Sequence, residues 1–359
     1  MDFDGLLRVM VDQGGSDLFL KVGNRPFLRV NGQLTAGGSE LLDEGQILTM
    51  TSGLLGPQRQ HFLQTDRELN FAFDRPSIGR FRANVLWQRG TPALVIRRVQ
   101  RAAASFAQLN LPEPVFVRLA GEQHGLVLVT GPTGSGKSTT VAAMLDYLNR
   151  TIPKHIVTLE DPIEFQFEEC QAIINQREIG VDTRSFSEGL KNVLRQSPDV
   201  LFISDIRDTE TMESALLAAE AGQLVLSCVH TTNAVTTIER LVAFFPPHQQ
   251  RLIRLRLSLV LRGVISLRLL PRVNGDGRVP VCEVMVSTPT IRELLREGRT
   301  ERLPNALREG GMYGMQTFTQ ALYERYRQGE VQLEEALKHA DSPEELRLAV
   351  QSIRTSRHV

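Results

Sequence analysis

The chain has 359 residues, 42% of them hydrophobic and 23% charged, and its 41 Lys and Arg balance 41 Asp and Glu to a formal net charge of zero. That length and composition imply a globular protein of two or three domains. The neutral balance argues against a wholesale nucleic-acid coat or a polybasic membrane anchor. Cys170, Cys228 and Cys282 are the three cysteines and form no CxxC pair, which speaks against a disulfide framework or zinc ribbon and fits a reducing cytoplasm. The start, Met1-Asp2-Phe3-Asp4, lacks the basic-then-apolar plan of a leader peptide. No apolar run approaches the roughly 18 residues of a membrane-spanning helix, so a cytoplasmic protein is expected.

Residues 1–100 read as mixed α/β. Leu6, Leu7 and Met10 have helical spacing, Gly14-Gly15-Ser16 breaks it, and Leu18–Leu20 begins a strand. Asn31-Gly32 between short apolar stretches predicts a hairpin turn. Residues 40–64 read as a helical stretch broken at Gly56-Pro57. In Arg80–Val85 one strand face is Arg80, Arg82 and Asn84 and the other is Phe81, Ala83 and Val85. Ala93–Ile96 is a further apolar strand ended by Arg97-Arg98, and residues 101–116, with Ala102–Ala104, Pro112 and Pro114, read as a linker.

From Gly121 the pattern becomes short continuous apolar runs alternating with helices: Leu126–Val129, Ile156–Leu159, Val200–Ile203 and Leu224–Val229, with a helix over Val141–Leu148. This pattern predicts a parallel sheet covered on both faces. After Pro271 the chain reads as largely helical, with Ser342-Pro343-Glu344-Glu345 as a capping box.

Four of these strands end in residues suited to phosphate chemistry, and open α/β sheets bind ligands at the carboxyl ends of their strands. The first runs into Gly131-Pro132-Thr133-Gly134-Ser135-Gly136-Lys137-Ser138, a full GxxxxGK[ST] loop. Its glycines let backbone N–H groups turn onto phosphate, and the following helix adds its positive end. Lys137 would reach the β- and γ-phosphates of ATP and the Ser138 hydroxyl would ligate Mg²⁺. Gly131, Thr133, Gly134, Ser135, Gly136, Lys137, Ser138 and Thr139 are therefore the candidate nucleotide-binding residues. The second strand ends at Glu160-Asp161-Pro162-Ile163-Glu164, carboxylates suited to holding Mg²⁺ or orienting water, or else a solvated acidic turn. The third ends at Ser204-Asp205, an acid after four apolar residues in the Walker B manner. The fourth ends at His230-Thr231-Thr232, where a His can sense a γ-phosphate by hydrogen bonding. Glu160, Glu164, Asp205 and His230 are the candidate catalytic groups, and Ser138, Asp161 and Asp205 the candidate metal ligands.

The stretches GPTGSGKST (Gly131–Thr139), LEDPIEF (Leu159–Phe165), INQREIG (Ile174–Gly180), PDVLFISDIRD (Pro198–Asp208) and VHTTNA (Val229–Ala234) resemble the secretion-ATPase superfamily of type II and type IV machines. Within it the chain is similar to the type IV pilus retraction ATPases, the PilT/PilU group. LKNVLRQSP (Leu190–Pro198), Phe244–Pro246 and the C-terminal tail resemble the PilU side. The resemblance spans nearly the whole chain. It implies an α/β fold with an N-terminal PAS-like α+β domain (1–100), the linker (101–116), a RecA-like P-loop ATPase domain (117–275) and a helical C-terminal region (276–359). It further implies a homo-hexamer that retracts a pilus, docked at the cytoplasmic side of the inner membrane. A second retraction ATPase and the inner-membrane pilus platform protein are the implied partners, and no nucleic acid is expected. In this family N-domain arginines close over the nucleotide, and Arg82 and Arg97 match those positions, with Arg80, Arg89 and Arg98 as near alternatives. Thr290–Glu297 resembles the retraction-ATPase motif AIRNLIRE, imperfectly at Thr290, Glu293 and Leu295.

One departure stands out. The family usually has Gly-Glu where this chain has Ser204-Asp205, one methylene shorter. Two other readings compete with a retraction motor. A RecA-like nucleic-acid translocase would use the basic stretch Arg251, Arg254, Arg256, Arg262 and Arg268, but leucines rather than base-stacking aromatics interleave with it, as on a charged helix face. A ring component that binds ATP and barely hydrolyses it would follow from the short Asp205.

Overall fold

The computed structural model describes residues 2–30, 32–55, 67–101, 104–275 and 277–356. Asn31 of the expected hairpin turn, and the Gly56-Pro57 break with the second half of the expected helix, lie outside the described residues. The chain divides into two compact units: Met1–Arg101 together with Glu164–Gln166, and the remainder.

Among the described residues the N-terminal unit is an antiparallel sheet with two helices. In chain order come α1 (Phe3–Asp12), β1 (Asp17–Lys21), β2 (Phe27–Val30), β3 (Gln33–Ala36), α2 (Glu44–Ser52), β4 (Glu68–Arg75), β5 (Gly79–Gln88) and β6 (Thr91–Arg98). The six strands run in the order β3-β2-β1-β6-β5-β4. Asp2 caps α1, and Asp43 with Gln46 makes a full capping box on α2. Along β5 the residues Phe81, Ala83 and Val85 are buried while Arg82 and Asn84 are not, so period-two alternation puts one face into the core. Leu7, Met10, Leu18, Leu28, Ile47, Phe81, Leu94 and Ile96 fill that core. A short strand, β7 (Gln100–Arg101), pairs in parallel with β10 (Phe165–Gln166) inside the same unit.

The second unit holds α3 (Glu113–Ala120), which begins within the stretch read as a linker, then β8 (Gly125–Thr130), α4 (Lys137–Thr151), β9 (His155–Glu160), β11 (Ile173–Glu178), α5 (Phe186–Val193), β12 (Val200–Ile203), α6 (Thr209–Glu220) and β13 (Leu224–Val229). There follow α7 (Ala234–Ala243), α8 (Pro247–Val260), β14 (Leu261–Pro271), β15 (Arg278–Val286) and α9 (Pro289–Glu297). The chain ends in α10 (Leu303–Glu309), α11 (Phe318–Arg327), α12 (Leu333–Lys338) and α13 (Pro343–Ser356). The seven strands are ordered β11-β9-β12-β13-β8-β14-β15, all parallel except β15 against β14. Every residue of β8, β12 and β13 is buried, as expected where helices cover both faces of a parallel sheet.

Three sequence expectations shift. The helix read over Val141–Leu148 starts earlier, at Lys137, because the loop glycine Gly136 serves as its N-cap. The sheet runs past Pro271: β15, with buried Val281, Cys282, Val284 and Met285, was hidden because its apolar run is broken by Glu283. The basic stretch is also not one helix face. Arg251, Arg254 and Arg256 lie on α8, whereas Arg262 and Arg268 lie on β14. Arg256 pairs with Glu220, Arg262 with Glu122 and Arg268 with Asp341.

Candidate nucleotide site

The sheet order decides the site. β9, β12, β13 and β8 lie side by side and point the same way. Their carboxyl ends therefore line up as Glu160, Asp205, His230 and the loop after Thr130.

Gly131 starts that loop at φ +149°, and a Cβ there would stand 2.3 Å from Ser135 Oγ and 2.7 Å from the Leu267 carbonyl oxygen. Only glycine fits so close an approach. Gly134 at φ +78° and Gly136 at φ +96° complete the turn into α4. Ser135 and Lys137 are buried, Ser138 and Thr139 half-buried, and Thr133 and Gly134 exposed. Lys137 Nζ donates to the Gly131 carbonyl at 2.8 Å and the Pro132 carbonyl at 3.0 Å, and lies 3.4 Å from His230 Nδ1. With the ammonium as donor, Nδ1 accepts, so the ring proton sits on Nε2. That nitrogen is 3.3 Å from Asp205 Oδ2. His230 thus lies between Lys137 and Asp205, as its strand β13 lies between β12, which precedes Asp205, and β8, which runs into the Lys137 loop.

Asp205 is 5% exposed. Its Oδ2 also accepts from Arg207 Nε at 2.7 Å, and Arg207 Nη1 lies 3.5 Å from Asp161 Oδ2. The Asp205 hydrogen bond raises the Arg207 pKa, burial opposes it, and the Asp205 and Asp161 charges add to the rise. Asp205 Oδ1 is buried with no hydrogen-bond partner, as are Ser135 Oγ and Thr130 Oγ1. Buried polar atoms are normally paired, so three orphans around one loop mark a place built for a polar ligand. Ser204 has a structural use: its Oγ accepts from the Asp161 N–H at 3.2 Å, tying the end of β12 to the carboxylate cluster. Glu160 is 5% exposed, and its Oε1 accepts from Thr158 Oγ1 at 2.6 Å and from Gln176 Nε2 at 3.0 Å.

The structure brings together Lys137, His230, Asp205 and Asp161. Glu164, exposed, belongs to the other compact unit, as do Arg82 and Arg97. There Arg82 and Arg97 are cross-strand neighbours on β5 and β6. Arg97 Nε donates to Asp17 Oδ1 at 2.7 Å. Sequence reasoning gave no role to Arg207, although its place two residues after Asp205 was a usable signal. It also gave none to Gln176 or to Arg278, whose Nη1 reaches the Gly134 carbonyl at 3.5 Å. Among the described residues no cluster of three or more His, Cys, Asp or Glu is set to hold a metal. Mg²⁺ in nucleotide sites takes one or two carboxylates, a hydroxyl and phosphate oxygens, and the unpartnered Asp205 Oδ1 beside Asp161 and the Ser138 loop fits that donor set.

The fold and the loop define a P-loop nucleotide-binding α/β protein. A family model described as type II/IV secretion system protein matches residues 63–338, and the chain belongs to that family. The Pseudomonas aeruginosa type IV pilus ATPase PilU is 41% identical over 350 residues, covering 98% of this chain and 91% of the relative. The PilT retraction ATPase of the same organism is 40% identical over 344 residues, covering 96% and 99%. A crystal structure of the pilus retraction motor PilT with bound ADP superposes with a TM-score of 0.89 at 40% identity, over 97% of this chain and 99% of that one. The Legionella pneumophila ATPase DotB follows with a TM-score of 0.77 at 26% identity, over 93% of each chain.

Proposed function

We propose that the protein is an ATPase motor of type IV pilus retraction, hydrolysing ATP to ADP and phosphate. One observation carries the reading: His230 lies between Lys137 and Asp205, with Nδ1 3.4 Å from Lys137 Nζ and Nε2 3.3 Å from Asp205 Oδ2, beside a glycine loop with orphaned buried polar atoms. Loop N–H groups and the start of α4 bind the phosphates, and phosphate oxygens replace the Gly131 and Pro132 carbonyls on Lys137. Ser138, Asp161 and Asp205 would hold Mg²⁺, which supplies charge neutralisation at the phosphates. Asp205, Glu160 or Glu164 orients the attacking water, and His230 links its position to Lys137. Arg82 and Arg97 supply positive charge to the developing γ-phosphate; Arg97 gives its Nε to Asp17.

The working form in this reading is a homo-hexamer on the cytoplasmic side of the inner membrane. It acts with the pilus platform protein and a second retraction ATPase. No helix among the described residues is long and apolar enough to cross a membrane; in this reading the membrane is met through those partners. Lys137→Ala is the test, since Lys137 faces ligand rather than core. Turnover should fall by at least roughly 10²-fold with an unchanged circular-dichroism spectrum, and light scattering of the wild type with Mg-ATP should show a hexamer. Wild-type turnover in the variant would end the P-loop reading, and a monomer at every concentration would end the ring.

A further inference from the structure

Glu283 interrupts the apolar run of β15 and is 8% exposed. An acid in that position demands a reason, because an ionised carboxylate is costly to bury unless it is hydrogen-bonded. Its Oε1 accepts the Ala234 N–H at 2.7 Å and lies 3.4 Å from Ser266 Oγ on β14. Ala234 is the first residue of α7. The cap residue Asn233 accepts from the Thr236 N–H at 2.9 Å, so Asn233 and Glu283 satisfy different N–H groups of the same helix start.

The segment so anchored is the one that carries His230. Thr231 Oγ1 is 2.6 Å from Thr237 Oγ1, and Thr237 Oγ1 donates to the Asn233 carbonyl at 2.6 Å. Thr231 is therefore tied to the first turn of α7, and His230 precedes it. On the other side, Glu283 pairs with Ser266 and Ser266 with Thr130, the residue before the loop glycine Gly131. Paired residues on adjacent strands share a face. A polar row thus crosses β15, β14 and β8, from Glu283 to the foot of the phosphate loop.

We propose that Glu283 is a positioning residue for ATP hydrolysis: by holding the first N–H of α7 it fixes the segment His230–Asn233 and sets the His230 ring between Lys137 and Asp205. This rests on the ATPase reading above. Burial pushes the Glu283 carboxyl up to about 7 from its ordinary 4.5. The Asp341 charge adds to the rise, while the Ala234 N–H, the Arg268 charge and the Ser266 hydroxyl pull it back. The charged form accepts the N–H more strongly and complements the positive helix start. The hold on α7 therefore strengthens as pH rises through about 7.

Stability has the opposite sign. A carboxyl whose folded pKa lies above its unfolded value binds its proton more tightly in the folded state. Its contribution is present at low pH and is lost as pH rises from 4.5 through about 7. Glu283→Gln keeps the shape and an acceptor oxygen but never ionises.

The test compares full-length wild type, Glu283→Gln and Glu283→Ala by steady-state kinetics with Mg-ATP from about pH 6 to 9, by ADP binding and by thermal melting. At about pH 8, Glu283→Gln should lower kcat roughly fivefold, with KM and ADP affinity within about twofold. The wild-type rise in kcat through about pH 7 should be missing from the variant, while its Tm at the higher pH is raised. Glu283→Ala should lose roughly 20-fold in kcat; if it does not fold, the Gln variant carries the test alone. Unchanged kcat and pH profile overturn the proposal. A rate and Tm that fall together do so too, because they mark a purely structural carboxylate. A wild type that neither binds ADP nor turns over ATP overturns the ATPase reading itself, and the proposal with it.

Discussion

Each compact unit buries an aspartate, and the two are treated differently. In the N-terminal unit Asp17 sits on β1 between cross-strand neighbours Arg29 and Arg97. Its Oδ1 is bonded to Arg97, and its Oδ2 meets Ser16 Oγ at 2.7 Å and Arg29 at 3.5 Å. In the second unit Asp205 has Oδ2 held by Arg207 and His230 while Oδ1 has no partner. Burial is nearly equal, at 3% and 5% exposure. The first arrangement leaves neither carboxylate oxygen without a partner. The second is unfinished, and a buried oxygen left over is a place for chemistry.

The sheets differ in the same sense. The antiparallel sheet carries its arginines on a strand face, which alternation leaves open to water. The parallel sheet is covered on both faces, so its candidate phosphate-site residues lie at strand ends, where loops leave the core.

The contrast can be broken by mutation. The largest effect is expected from Asp205→Ala, a fall in kcat on the order of 10²-fold with unfolding free energy within about 1 kcal/mol of wild type. Asp17→Ala should instead remove roughly 2 kcal/mol of stability, the worth of charge-assisted hydrogen bonds. Kinetics paired with denaturant melting of both variants checks this, and a reversed assignment would dissolve the distinction. Next comes Arg207→Ala. It removes the strongest fixed partner of Asp205 and should cut kcat roughly 20-fold, with ADP affinity little altered. A variant as fast as wild type would show that His230 alone suffices to orient Asp205.

The smallest effect sharpens the comparison within the site. Asp205→Glu restores the methylene usual in the family and should raise kcat by up to about tenfold, some 1.4 kcal/mol of barrier, with unchanged nucleotide affinity. Unchanged or lower kcat would mean that Ser204, bonded to the Asp161 N–H, and Arg207 already fit the site to the shorter acid. Glu160→Gln and Glu164→Gln measured alongside show whether another carboxylate carries the reaction.

Much of this was legible in the chain. The glycine loop with Lys137, the apolar runs of β8, β9, β12 and β13, and the polar residues at their ends are local patterns, and local patterns are what a sequence states directly. The same holds for the alternation of Phe81, Ala83 and Val85. Less legible were β15, where a buried acid broke the apolar run, and Arg207, whose value depends on reaching two carboxylates from different strands. Glu283 was invisible for the same reason, since its partner Ala234 lies far away in the chain.

By itself the sequence determined the glycine loop Gly131–Ser138 and a parallel sheet whose strands end in the carboxylates and His230. Backbone conformation at glycines, strand periodicity and residue chemistry are short-range properties. Only the tertiary structure decided that β13 lies between β12 and β8, so that His230 meets both Asp205 and Lys137. It likewise decided that Arg97 meets Asp17, and that Glu283 holds α7. Strand order is set by how helices and sheet bury apolar surface across the whole domain, and that balance is written in no single stretch of residues.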